Sequence, residues 1–256
     1  MEIHHPQHIS HQKKWKEYLL EFFMLFFAVT LGFFAENIRE HYLEKQREIK
    51  FLQNIHFDLQ KDLQEADTTI AYIDIKQTSA DSLLLQMKNK SILNNLPDFY
   101  YYTKTLALRH LFENSTNGFT QLKNAGGLRL IENKKIVNLI QDYENRMNSM
   151  LSLQTFNENI LLNLRLKSSK VLNVITTAEM NESQDINSKL ILYRFTRPTN
   201  PLPLVSTKEE DINELLNLVF STINTNKYIK ARLLSLKKQA IQLDSLLLSE
   251  YGKNFD

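Results

Sequence analysis

Glu21 lies one turn inside the most apolar stretch of this 256-residue chain. A carboxylate in such surroundings is a candidate proton site or a contact for a polar partner. The competing reading is that it reaches back to the interface beside Lys13, Lys14 and Lys16. Ala28 and Gly32 form a small-x-x-x-small pair, and Ala35 falls close to the same face. Small residues at this spacing let two membrane helices approach closely, and Glu21 and Leu25 share that side. They are also ordinary in a lone span.

Other chemistry-bearing residues point to structure. His4, His5, His8 and His11 offer imidazoles to a metal ion, but they sit on a proline-containing tail and read as a polar tail. Gly126, Gly127 and Arg129 could form a ligand-binding turn. No Walker lysine-serine pair follows them, and no strand-to-helix phosphate fingerprint precedes them, so a structural turn at a helix end is expected. His56 and His110 stand alone on or near apolar stripes and read as core or interface histidines. No serine sits in a nucleophile elbow. The aromatic run Phe99, Tyr100, Tyr101 and Tyr102 reads as helix packing. No catalytic, cofactor-binding or metal-binding residue is expected, and neither is an enzyme.

These residues must be positioned by an unusual N-terminal element. Residues 22–35 (FFMLFFAVTLGFFA) carry no charge and place phenylalanines all around a helix. A core helix would keep a polar stripe. Extended back to Tyr18, with Glu21 the one charge, the segment rises about 27 Å, close to the thickness of a bilayer's hydrocarbon. Trp15 and Tyr18 mark its front edge, and Tyr42 lies beyond its back edge, as interfacial aromatics do. A cleaved signal peptide is the rival reading. It would place Phe33 where a small residue is needed before the cut, so an uncleaved anchor over residues 18–36 is expected. Three lysines before the segment, against Arg39 bracketed by Glu36 and Glu40 after it, favour a cytoplasmic tail over residues 1–17. The expected location is a bacterial inner membrane, with the bilayer as one partner.

Glycine and proline, five of each, punctuate the rest. Long uninterrupted blocks result, and the fold class is all-α: the span continues into a long amphipathic helix, and an antiparallel helical bundle forms over residues 37–256. Long helices are expected over 37–90, 97–113, 133–176 and 208–251, with a short one at 119–125 and a loose segment at 178–207. Residues 38–87 carry an apolar stripe through Ile49, Leu52, Leu59, Ala66, Ile73 and Ala80. Such a helix would project far from the bilayer. Asn133 is placed to cap one helix, and Thr207 with Glu210 forms a capping box for the last. Residues 188–195 suit a short strand or an extended wrap. The absence of cysteine excludes disulfides and cysteine lipidation. A net charge of +2, from 31 basic and 29 acidic residues, gives no field suited to nucleic acid.

Residues 14–52 resemble the start of uncharacterised single-pass membrane proteins found widely in bacteria. Residues 119–143 resemble a second segment of that group through Leu122, Lys123, Ala125, Gly126, Leu128, Arg129, Leu130 and Ile131, with Tyr143 downstream. The resemblance implies a membrane anchor with an α-helical domain and says nothing of activity. The expectation is a membrane-anchored, non-enzymatic interaction or scaffold subunit that associates with itself or with another membrane protein. The alternative is an extracytoplasmic sensor, for which the short tail supplies no output domain.

Overall fold

The computed structural model describes residues 14–89, 91–180, 182–184 and 193–255. Its regular structure is almost wholly helical. Helix α1 (Trp15–Lys88) is 74 residues long, about 110 Å of unbroken helix. Its start is fixed by the Glu17 carboxylate, which accepts from the Lys14 amide at 3.2 Å. There follow α2 (Leu96–Leu106), α3 (Asn117–Asn124), α4 (Lys134–Val171), α5 (Val174–Glu179) and α6 (Glu209–Tyr251). A two-stranded antiparallel ribbon, β1 (Glu182–Gln184) with β2 (Tyr193–Phe195), lies between α5 and α6.

Helices α1, α4 and α6 lie along one another, and α6 runs against the other two. The C-terminal end of α6 meets the start of α4, where Asn133 donates to Glu250 at 2.7 Å. The middle of α6 meets the middle of α1 through Lys237 with Asp67 and Lys230 with Asp74. Its N-terminal end meets the far end of α4, where Lys167 contacts Asp211 at 3.2 Å.

The apolar stripe of α1 is buried only from residue 48 onward. Leu52, Leu59, Ala66, Ile73 and Ala80 are covered, but Ile38 is 69% and Tyr42 64% exposed. About 20 Å of helix separates Ala35 from Glu48, the first buried residue. Between the apolar run and the packed helices, α1 is uncovered over this short length only.

Helix α2 ends at Leu106 rather than at 113. Residues 107–116 form no regular element, because side chains of α1 and α4 satisfy backbone groups there and remove the need for a helical ladder. Arg165 donates to the Ala107 carbonyl through Nε at 3.0 Å and Nη2 at 2.8 Å. Gln154 brackets Phe112, accepting from its amide at 2.9 Å and donating to its carbonyl at 3.3 Å. The chain also breaks at Leu172, so the helix expected over 133–176 is two helices. Buried Tyr100 holds the break: its hydroxyl accepts from the Asn173 amide at 2.8 Å and donates to the Leu202 carbonyl at 3.1 Å. Thr207 does not cap α6. Its N-cap is Lys208, and the Ser206 hydroxyl accepts from the Lys208 amide at 3.3 Å while donating to Asp211 at 2.6 Å.

Two glycines answer to different constraints. Gly118 sits where α3 crosses α1, and a Cβ there would lie 2.7 Å from the backbone carbon of Asn54. Gly126 has φ +61° after the end of α3, with open space around it. Gly118→Ala should therefore destabilise the protein by about 1–3 kcal/mol through overpacking. Gly126→Ala should cost about 1–2 kcal/mol through its left-handed backbone. Chemical denaturation of the detergent-solubilised chain, followed by circular dichroism, measures both. A neutral Gly118→Ala would mean that α3 does not press on α1.

Candidate functional site

The residues singled out in the sequence fall in three places. Ala28 and Gly32 are exposed along α1, with nothing within 4 Å of a Cβ placed on Gly32, and Glu21 is partly exposed. Gly126 and Gly127 form the stop after α3, where a Cβ on Gly127 would strike Leu122 and Phe51 at 2.8 and 2.9 Å. Arg129 is exposed and makes no ion pair among the described residues. His4, His5, His8 and His11 lie outside the described residues, as do most of residues 1–17 and residues 188–192. No group of metal-ligating side chains occurs among the described residues.

Both lone histidines are engaged. His56 lies 2.5 Å from the Asp244 carboxylate, which also accepts from Gln60 at 2.8 Å. His110 belongs to the irregular segment after α2, with its ring stacked on Tyr72 at 4.2 Å. Its Nε2 lies 3.1 Å from Glu65 and from the Thr69 hydroxyl. Burial, helped by the charge of Lys76, pushes the imidazole down to about 4, so the ring is neutral at physiological pH. Of the aromatic run, Phe99 and Tyr100 are fully buried, while Arg197 covers the rings of Tyr101 and Tyr102 at 4.8 and 5.2 Å.

Three buried carboxylates of α1 were not legible as a group in the sequence. Glu48 accepts from the Glu132 amide at 3.0 Å and the Tyr251 hydroxyl at 2.8 Å. Asp58 accepts from the Ser115 hydroxyl at 2.9 Å and the Gly118 amide at 2.6 Å. Asp62 accepts from the Ser115 amide at 2.6 Å and the Tyr143 hydroxyl at 2.7 Å. Desolvation dominates at Asp62 and pushes its carboxyl up to about 6 despite these donors. These acids fasten the connecting segments to α1.

A different arrangement sits deeper. The core divides into two apolar clusters. One is built on Leu52, Ile55 and Leu59 with Tyr143, Leu243 and Leu247. The other is built on Leu83, Phe99 and Tyr100 with Leu164, Leu215 and Val219. Between them lies a polar level containing Lys76, His110, Gln154, Asn157 and Asn226 around a small void of about 20 Å³. Lys76 is 4% exposed and has no hydrogen bond or ion pair among the described residues. Asn157 Oδ1 and Asn226 Nδ2 are buried without protein partners. Burial, and then the like charge of Arg165, pull the Lys76 ammonium down to about 8; Glu158 acts in the opposite sense.

Alongside this level opens a larger cavity of about 490 Å³. Tyr72 borders both spaces, and the wall of the larger one is completed by α2, α4, α5 and β2. Its size falls in the range of small-molecule sites. The residues that form it are far apart in sequence, and no local motif announces them. No protein-family model, curated protein or solved structure matches this chain.

A buried cation without a partner lowers stability, and an apolar replacement of similar length removes that cost. Lys76→Met should therefore stabilise the protein at pH 7 by about 1–3 kcal/mol. The folded pKa lies below the unfolded one, so the penalty is complete below pH 8 and fades as pH rises toward about 10.4. The advantage of the methionine should shrink over that window. Denaturation at pH 7 and pH 10 tests this, and a destabilising Lys76→Met would show that the ammonium is satisfied.

Proposed function

We propose that this chain is a single-pass protein of a bacterial inner membrane, anchored by the N-terminal part of α1. Its helical domain forms a bundle outside the membrane that engages a protein partner without catalysing a reaction. The observation that carries the reading is a helix segment near the N-terminus whose 18-residue window has a mean hydropathy of 2.0 and is 0% buried. Phe22, Phe26, Phe27, Phe33 and Phe34 are each more than half exposed. A water-soluble surface does not carry a contiguous apolar patch of that kind. The single hydroxyl in the run is internally satisfied, since Thr30 donates to the Phe26 carbonyl at 2.7 Å. The backbone of the segment is helical throughout, as a hydrocarbon environment requires.

Within the bilayer, the face through Glu21, Ala28 and Gly32 is the contact strip for a second copy or another membrane helix, because its small side chains permit close approach. The bulkier phenylalanines then face lipid. The flanking lysines favour a cytoplasmic N-terminus with the packed helices on the other side.

A second reading, that the helical domain senses a small ligand, is favoured by the 490 Å³ cavity. Helix α1 borders that cavity at Tyr72 and is the same helix that carries the apolar segment. Ligand occupancy would bias the position of one continuous rod.

Membrane attachment is tested by fractionation. The full chain should pellet with membranes and resist an alkaline carbonate wash. The double substitution Phe26→Arg and Leu31→Arg should abolish stable insertion, because each charge at mid-span costs about 2.5–3.5 kcal/mol. Recovery of the unaltered chain in the supernatant of a detergent-free lysate would refute the anchor.

A further inference from the structure

The wall of the 490 Å³ cavity has an uneven charge. It contains Lys104, Arg109 and Arg165 and no aspartate or glutamate. Arg109 is matched from outside, donating to Glu158 at 2.8 Å. Among the described residues, the other two cations have no carboxylate partner. Arg165 spends two donors on the Ala107 carbonyl, a neutral acceptor. Lys104 rests over the Phe195 ring at 5.2 Å. Lys76 lies outside this wall, in the adjoining polar level, where the charge of Arg165 acts on it. Charge accumulated in one partly enclosed space, with no counter-charge in its wall, favours an anionic occupant.

Thr103 supplies an independent observation. It lines the cavity and is 0% exposed, and its Oγ1 has no hydrogen-bond partner among the described residues. A buried hydroxyl left unmatched is uncommon, and a polar atom of a ligand completes it. The remaining wall is apolar: Leu108 and Leu172 are buried, and Val174 and Phe195 close the same space.

We infer that this cavity binds a small organic anion, with its carboxylate or phosphate group met by Lys104, Arg165 and the Thr103 hydroxyl. The body of the ligand lies against Leu108, Leu172 and Phe195. The guanidinium suits either acidic group, and the lysine acts as a point charge. The assignment stands without the membrane anchor, and it deepens the sensing reading by naming the chemistry sensed.

The test is calorimetric titration of the full chain, in detergent micelles, with phenylacetate, phenyl phosphate and the uncharged benzyl alcohol. Either anion should bind at least roughly tenfold more tightly than the alcohol, since hydrogen bonds to charged groups are the stronger class. The preferred anion distinguishes a carboxylate ligand from a phosphate ligand. Lys104→Gln should weaken anion binding by about tenfold or more and leave the alcohol unchanged. Ser169→Trp, at the cavity wall, should block all three probes while keeping every cation. Absence of anion binding up to about 10 mM overturns the inference. So does equal affinity for the alcohol, or unchanged binding in a folded Ser169→Trp variant. Anion binding that leaves disulfide crosslinking of a Gly32→Cys variant unaltered keeps the site and removes the sensing reading.

Discussion

The structure depends on how buried carboxylates on one helix are satisfied. Glu48, Asp58 and Asp62 all project from α1 into covered space, and each must find donors or become protonated. The donors come from the irregular segments at Ser115 and Glu132, whose amides point inward, from the first-turn amide of α3 at Gly118, and from the hydroxyls of Tyr143 on α4 and Tyr251 on α6. The path of residues 107–118 across α1 follows from this demand. So does the close crossing of α3, because an amide can reach Asp58 only if Gly118 has no side chain to hold it off. The carboxylates and the glycine are two halves of one contact.

The second organising feature is the polar level that divides the core. An apolar seam running the full length of α1, α4 and α6 would tolerate sliding of one helix against another. Lys76, Asn157 and Asn226 bring polar groups to one height, and any shift along the axis would push them into the apolar clusters on either side. Polar residues in a helical seam fix register at a cost in stability. Here the same level borders the cavity, so the residues that set the register also shape the wall of a candidate ligand site.

How far the sequence foretold this varies with the range of the interactions. Helical class followed from the scarcity of breakers, and the apolar N-terminal helix from its phenylalanines, because both are local properties. The buried face of α4, including Ile136, Ile140, Tyr143, Met147 and Leu164, followed from a clean period. On α1 the apolar stripe does not mark the buried polar positions beside it, Glu48, Asp58, Asp62 and Lys76. A charged residue adjoining an apolar stripe does not reveal whether it points to solvent or inward, since its partners lie tens of residues away. The irregular run at 107–116 was hidden for the same reason. Its residues suit a helix, and Gln154 and Arg165 override that preference from another element. The cavity was illegible because its wall is drawn from five elements.

The unbroken length of α1 has a mechanical meaning. No glycine or proline lies between Phe34 and Lys76, α1 is continuous over that path, and only about 20 Å of neck lies between the apolar run and the first covered residue. The two parts are geared together. A rotation of the apolar part about its axis is delivered to Tyr72 with the same sense, and each added residue in the neck would offset their azimuths by about 100°. The number of residues in that neck is thus a phase setting between what the apolar face touches and what the cavity holds.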